Sequence, residues 1–167
     1  PALEGCKENM VLTKPGAIAS IHEDYLKAGA DILETNTFGG MRHVLGEYDL
    51  QDKVSEINRT AAKIASDLAR KYSTPARPRF SAGAMGPGTK TISVTGGITF
   101  ASVLENSAEQ ALALLEGGCD LLLVETQQDT LNLKAMLEGI RQTFKKRDRS
   151  VPVILSVSIE TMGTMLG

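Results

Sequence analysis

The stretch AGADILETNTFGG, residues 28–40, decides how this chain reads. A turn of small residues at Ala28, Gly29 and Ala30 runs into a short apolar strand, Asp31 to Glu34. The strand then finishes in Glu34, Thr35, Asn36 and Thr37. A strand that only builds a core has no use for four consecutive polar side chains, because polar groups buried without partners are costly. A strand whose end opens onto a site does.

The helix before this strand is PGAIASIHEDYLKA, residues 15–28. Pro15 sits in its first turn, Thr13 is a candidate N-cap, and Gly29 stops it. Ile18, Ile21, Tyr25 and Leu26 recur at helical spacing. The same unit repeats downstream. A second helix is expected over about residues 51–72, with Val54, Ile57, Ala61, Ile64, Ala65 and Leu68 inward. A third is expected over about 99–116, with Val103, Ala108, Ala111, Leu112 and Leu115 inward, and a fourth over about 130–146. Strands FSAGAMG (80–86), LLLVET (121–126) and VPVILSVSIE (151–160) alternate with them.

The order is therefore helix–strand four times over. The strands are continuously apolar rather than alternating, which predicts a parallel sheet buried on both faces, with right-handed crossovers. Two α/β architectures fit: an open doubly wound sheet, or part of a (β/α)₈ TIM barrel. A whole barrel takes about 250 residues, and this chain has 167. Four strands make half of one. In both architectures ligands bind at the C-terminal ends of the strands. The strand ends here, ETNTF, GAMGPGT, ETQQDT and SIETMGT, are all polar or glycine-rich.

Composition narrows the function. Lys plus Arg is 18 against 20 for Asp plus Glu, aromatics are 4%, and Trp is absent. Neither a basic footprint nor a base-stacking platform is present, which argues against nucleic acid as a partner. No apolar run approaches the ~20 residues that span a bilayer, so no membrane partner is expected. The two cysteines, Cys6 and Cys119, lack CxxC spacing, which fits a reducing, cytoplasmic setting.

Glu125 ends a run of three leucines and a valine. A carboxylate there needs a partner: an amine or polar ligand on the functional reading, a rim salt bridge on the structural one. Glu34 is the same kind of residue on the earlier unit. Asn36 and Thr37 offer short donors and acceptors, or simply cap a turn. Gly83, Gly86, Pro87 and Gly88 could let backbone approach a ligand, although no GxGxxG opens a helix there. Asp129 is a candidate N-cap for the fourth helix or a site residue. His22 reads as a residue on a packed helix face and His43 as a loop residue. Two histidines make no metal cluster.

Together, GCKENMVLTKP, IHEDYLKAGADILETNTFGG, AGAMGPG and GGCDLLLVETQQDTLN resemble the homocysteine S-methyltransferase family, over essentially the whole chain. Within it, the resemblance is strongest to members that take their methyl group from methylcobalamin. It implies a (β/α)₈ barrel, of which this chain supplies the first helix to the fifth strand. It implies homocysteine as substrate, with Glu125 contacting it. Glu34, Asn36 and Thr37 would lie on the rim, and Gly86 and Pro87 in a strand-end loop. Zinc turns the substrate thiol, of pKa about 8.5 when free, into a thiolate. Three cysteines hold that zinc in the family. None matches a position here, so Cys6 and Cys119 are not ligands and this chain alone is expected to be inactive. Folate- and cobalamin-binding domains of the same polypeptide are the implied partners. The alternatives are a betaine- or S-methylmethionine-dependent enzyme, or a small non-catalytic α/β binding module.

Overall fold

The computed structural model describes residues 4–167. Helix α1 (Met10–Thr13) leads into α2 (Pro15–Ala28) and strand β1 (Ile32–Glu34). A short helix α3 (Arg42–Leu45) and two 3₁₀ turns precede α4 (Val54–Tyr72). The remainder alternates: β2 (Phe80–Met85), α5 (Phe100–Glu116), β3 (Leu121–Gln127), α6 (Thr130–Arg147) and β4 (Val153–Val157).

All four strands are parallel and stand in the order β1-β2-β3-β4. A doubly wound sheet reverses its strand order at a switch point. Here each strand lies beside its predecessor throughout, which is the winding of a barrel. The chain forms part of a TIM barrel, as the sequence led us to expect.

Local signals set the boundaries. Gly29, at φ 108, closes α2 by donating its N–H to Leu26 and Tyr25 carbonyls. Thr99 caps α5 by accepting from the Ser102 amide, and Asp129 caps α6 by accepting from the Leu131 and Asn132 amides. Thr13 is not a cap: its hydroxyl donates back to the Asn9 carbonyl, and Lys14 holds the N-cap position of α2. His43 lies in α3 rather than in a loop.

The main core lies between the sheet and α5 and α6, where Met85, Leu122 and Val124 meet Leu114, Met136 and Ile140. A second cluster joins Val11, Ile18, Leu45, Val54 and Ile57, and a third joins Leu26, Leu33, Ala65 and Ala69. Gly139 lets α6 touch α5, since a Cβ there would lie 2.4 Å from the Leu104 carbonyl oxygen.

Two expectations need correction. The sheet is covered on one face only: Ile32, Phe80 and Ile154 remain 47%, 42% and 45% exposed. A barrel strand turns one face to the helices and the other to the barrel interior, and four strands do not close an interior. The inward face of α5 is also rotated from the apolar stripe. Leu112 is exposed, whereas Asn106, Ser107, Gln110 and Leu114 are buried. Polar residues occupy part of the buried face: Gln110 donates to the Thr37 carbonyl, Ser107 to the Val103 carbonyl of its own helix, and the Asn106 amide pairs with the His43 ring. Of the first helix's stripe, Ile21 and Tyr25 are exposed.

Candidate functional site

Strand alternation places the two carboxylates. Leu33 packs toward the helices, as do Leu122 and Val124. Side chains alternate along a strand, so Glu34 and Glu125 project from the opposite, uncovered face. Between them β2 presents small residues there: Ala82 pairs with Glu34, and Ala84 with Leu123.

The backbone at Glu125 is irregular. The pairing of β3 with β4 slips between Val124 and Gln127, and Thr126 has φ 58. A bulge of this kind re-aims side chains. A β-branched residue in the left-handed region is strained, and such strain clusters at functional sites. Gln127 is fully buried, and its amide nitrogen donates to the Glu125 carbonyl at 3.0 Å. Among the described residues, Gln127 Oε1 and Glu125 Oε1 are buried without a hydrogen-bond partner.

Burial pushes the Glu125 carboxyl up to about 7, and the neighbouring Glu34 carboxyl adds to this by hydrogen bonding and repulsion. Near neutral pH such a group is poised between acid and carboxylate. A cationic donor favours its carboxylate form, so binding of a cation draws the proton off.

The other predicted residues fall into place differently. Asn36 donates to the Lys7 carbonyl at 2.8 Å, tying the N-terminal segment to the strand end. It lines a cavity of about 440 Å³ along the free side of β1, together with His22, Tyr25, Ile32 and Glu34. Glu125 is not among the cavity's lining residues. This cavity is a groove at the sheet edge that meets the strand-end site at Glu34 and Asn36. His22 is buried; burial lowers its pKa, and its Nε2 has no partner among the described residues.

Thr37 does not reach the open face. It is fully buried, and its hydroxyl lies 2.6 Å from that of Thr35 and donates to the Ala84 carbonyl at 2.7 Å. The Thr35 hydroxyl in turn accepts from the Ala84 amide. These side chains extend the sheet ladder beyond the end of β1. Gln110 then donates to the Thr37 carbonyl at 2.9 Å, and Asn58 to the Gly40 carbonyl at 2.8 Å.

Gly86 and Gly88 serve packing. A Cβ on Gly86 would lie 2.7 Å from the Phe38 carbonyl oxygen, and one on Gly88 would lie 2.3 Å from His43 Nε2. Pro87 lies between them, partly buried. Close backbone approach is therefore required here by neighbouring protein groups.

Asp129 both caps α6 and holds the loop after β2. The Ser93 amide donates to it at 2.7 Å and the Ser93 hydroxyl at 3.2 Å. Asn132 fastens the same loop, accepting from the Ile92 amide and donating to the Lys90 carbonyl. Burial opposes ionisation of Asp129, but the Ser93, Asn132 and Leu131 amides outweigh it and hold its pKa below the usual carboxylate value. Sequence reasoning missed Thr126, Gln127, Ser93 and Asn132. A capping Asp was the only legible hint of the strap.

The residues present do not fit zinc. Among the described residues no three His, Cys, Asp or Glu side chains converge on a possible metal position. Cys6 and Cys119 lie in separate core clusters. Burial raises both thiols, Cys119 to about 12, away from the thiolate that binds metal. Among the described residues no helix is long and apolar enough to cross a membrane.

These features define a class: part of an α/β barrel that presents a carboxylate pair at its strand ends. The fold superposes on the homocysteine methyltransferase MmuM from Escherichia coli. With the oxidized form the TM-score is 0.78 at 18% identity, covering 99% of this chain and 58% of that one. With the metallated form it is 0.77, covering 100% and 59%. Residues 2–167 match the model of the homocysteine S-methyltransferase family, and the chain belongs to that family. It is 42% identical over 164 residues to a methionine synthase of Mycobacterium tuberculosis (strain ATCC 25618 / H37Rv). Its identity to a methionine synthase of Mycobacterium leprae (strain TN) is 43%. In both cases the match covers 98% of this chain and 14% of the relative, so the chain spans a small part of these curated relatives.

Proposed function

We propose that this chain is the homocysteine-binding part of a methionine synthase and that Glu125 receives the substrate's ammonium group. The observation that carries this reading is the buried, unpartnered Oε1 of Glu125 at a strained strand end. A carboxylate suits an ammonium ion, and hydrogen bonds to charged groups are the stronger ones. Glu34 and Asn36 stand beside it as further substrate contacts, and Gly86 and Pro87 shape the adjoining loop. Thr37 contributes by holding the strand end in place.

The chemistry beyond binding belongs to groups outside this chain. A zinc held by residues outside this chain would acidify the thiol, and methylcobalamin held by another domain would supply the methyl group. In this reading folate- and cobalamin-binding domains accompany the chain in one cytoplasmic polypeptide. The identity to two methionine synthases favours methylcobalamin over betaine or S-methylmethionine as donor.

Calorimetric titration of the full-length protein with L-homocysteine tests the reading. Binding that weakens at least tenfold in Glu125→Ala supports it. Unchanged binding in that variant, or no binding by the intact protein, overturns it.

A further inference from the structure

The two carboxyls need to be considered as one object. Glu34 and Glu125 come from β1 and β3 on either side of β2 and project from the same face, and the Glu34 carboxyl reaches within hydrogen-bonding range of the Glu125 carboxyl. Glu34 is exposed, whereas Glu125 Oε1 is buried and has no hydrogen-bond partner among the described residues. Among the described residues neither carboxylate is in a salt bridge; the cationic residue Lys7 lies beside the end of β1, its carbonyl held by Asn36. β2 and β4 carry no titratable residue over Phe80–Met85 and Val153–Val157. On β1 and β3 themselves Glu34 and Glu125 are the only titratable residues. Across the groove beside Glu34, α2 offers Tyr25 and His22, and burial keeps His22 toward its neutral form. Arg42, Lys53, Arg59 and Lys71 are engaged elsewhere, with Glu109, Glu56, Glu116 and Glu23 respectively.

Two carboxylates in contact do not both ionise readily, and one proton between them relieves the repulsion. We propose that Glu34 and Glu125 form a single cation-binding unit that holds one shared proton when empty and releases it to solvent when an ammonium group binds. The balance is simple. The empty unit carries one negative charge. The ammonium brings one positive charge with its own N–H donors, the shared proton leaves to buffer, and both carboxylates become acceptors. No bond to carbon forms or breaks. Glu34 thereby gains a role that a single-carboxylate site would not give it: it makes the site prefer a cation over a neutral ligand.

This inference rests on the ammonium reading above, and two measurements separate their failures. The first needs no ligand. Carbon-13 NMR titration of the Glu125 side-chain carboxyl is expected to show its midpoint falling by at least one pH unit in Glu34→Gln. An unmoved midpoint overturns proton sharing. Glu34 is exposed, so Gln is tolerated there, and Glu34→Ala provides a second variant.

The second measurement is calorimetry of L-homocysteine binding to the full-length protein, in buffers of different ionisation heat near pH 6. The thiol contributes equally to wild type and variant, so the difference isolates the carboxyl pair. The wild type is expected to release more protons than Glu34→Gln, by an amount that grows as the variant's midpoint falls further below that of the wild type. Its affinity should rise up to tenfold per pH unit below the midpoint, as displacement of one proton requires. Equal proton release overturns the proposal. Absence of homocysteine binding alongside a shifted NMR midpoint would refute the substrate reading and leave the carboxyl pair standing.

Discussion

Two polar clusters lie at the same end of the sheet and meet opposite fates. On the helix-covered side, Thr35, Thr37, Asn58 and Gln110 are buried and bond to one another and to backbone carbonyls. Only Gln110 Oε1 lacks a partner there among the described residues. On the open side, Glu34, Glu125 and Gln127 gather around a strained bulge, with two buried oxygens unpartnered among the described residues. Buried polar groups in native proteins are normally satisfied. The first cluster obeys that rule and serves the fold. The second departs from it where a ligand would supply what is missing.

The largest expected effect breaks the covered cluster. Gln110→Ala removes donors to the Thr37 carbonyl and Asn58 Oδ1 and leaves a void among α4, α5 and the strand end. Lost packing and stranded carbonyls together are worth about 3 kcal/mol. Urea denaturation should show that loss as a lower midpoint at unchanged slope. In contrast, Glu125→Gln should leave stability at pH 8 intact or improved while weakening homocysteine binding. A Glu125→Gln variant that unfolds as readily as Gln110→Ala would erase the distinction between the clusters.

pH sharpens the comparison, because the two acidic groups at this end have opposite signs. The folded-state pKa of Glu125 is raised, from 4.5 to about 7. Its contribution is favourable below the unfolded value and is lost as pH rises through about 7. Asp129 is held below the usual carboxylate value, so its contribution is present above that value and is lost as pH falls through the folded one. The melting temperature should therefore decline between about pH 4.5 and 7. Glu125→Gln should flatten that decline and leave the acid limb untouched. Asp129→Asn should do the reverse, at a cost of about 1 kcal/mol at neutral pH for the weakened cap and loop strap.

These clusters also show what was legible in the sequence. The helix–strand repeat, the strand ends and the carboxylate of VETQQD were readable because each depends on neighbours within a few positions. The role of Thr37 was not, since its carbonyl is met by Gln110, 73 residues away. The same contact misled the reading of α5. An apolar stripe through Leu112 and Leu115 ignores Asn106, Ser107 and Gln110, yet these polar residues turn inward, Ser107 and Gln110 to helix and loop carbonyls and Asn106 to the His43 ring. The face of each strand was equally hidden, because residues on both sides are apolar. Only the sheet itself shows that Glu34 and Glu125 share a side.

The smallest effect is the most specific. Thr is a good strand former, and nothing in ETQQD announces that Thr126 adopts φ 58. Left-handed strain at a β-branched residue costs on the order of 1–3 kcal/mol, and glycine removes it while adding about 0.5–1 kcal/mol of chain entropy to the unfolded state. Thr126→Gly should therefore stabilise the protein by roughly 1 kcal/mol, seen as a few degrees in melting temperature. If the strain serves to aim Glu125, the same variant should bind homocysteine more weakly, since the bulge would no longer be held in one geometry. Higher stability with lower affinity is the signature of strain kept for function. Higher stability with unchanged affinity would mean that the bulge only ends the strand, and that Glu125 is positioned by Gln127 and the Glu34 carboxyl instead.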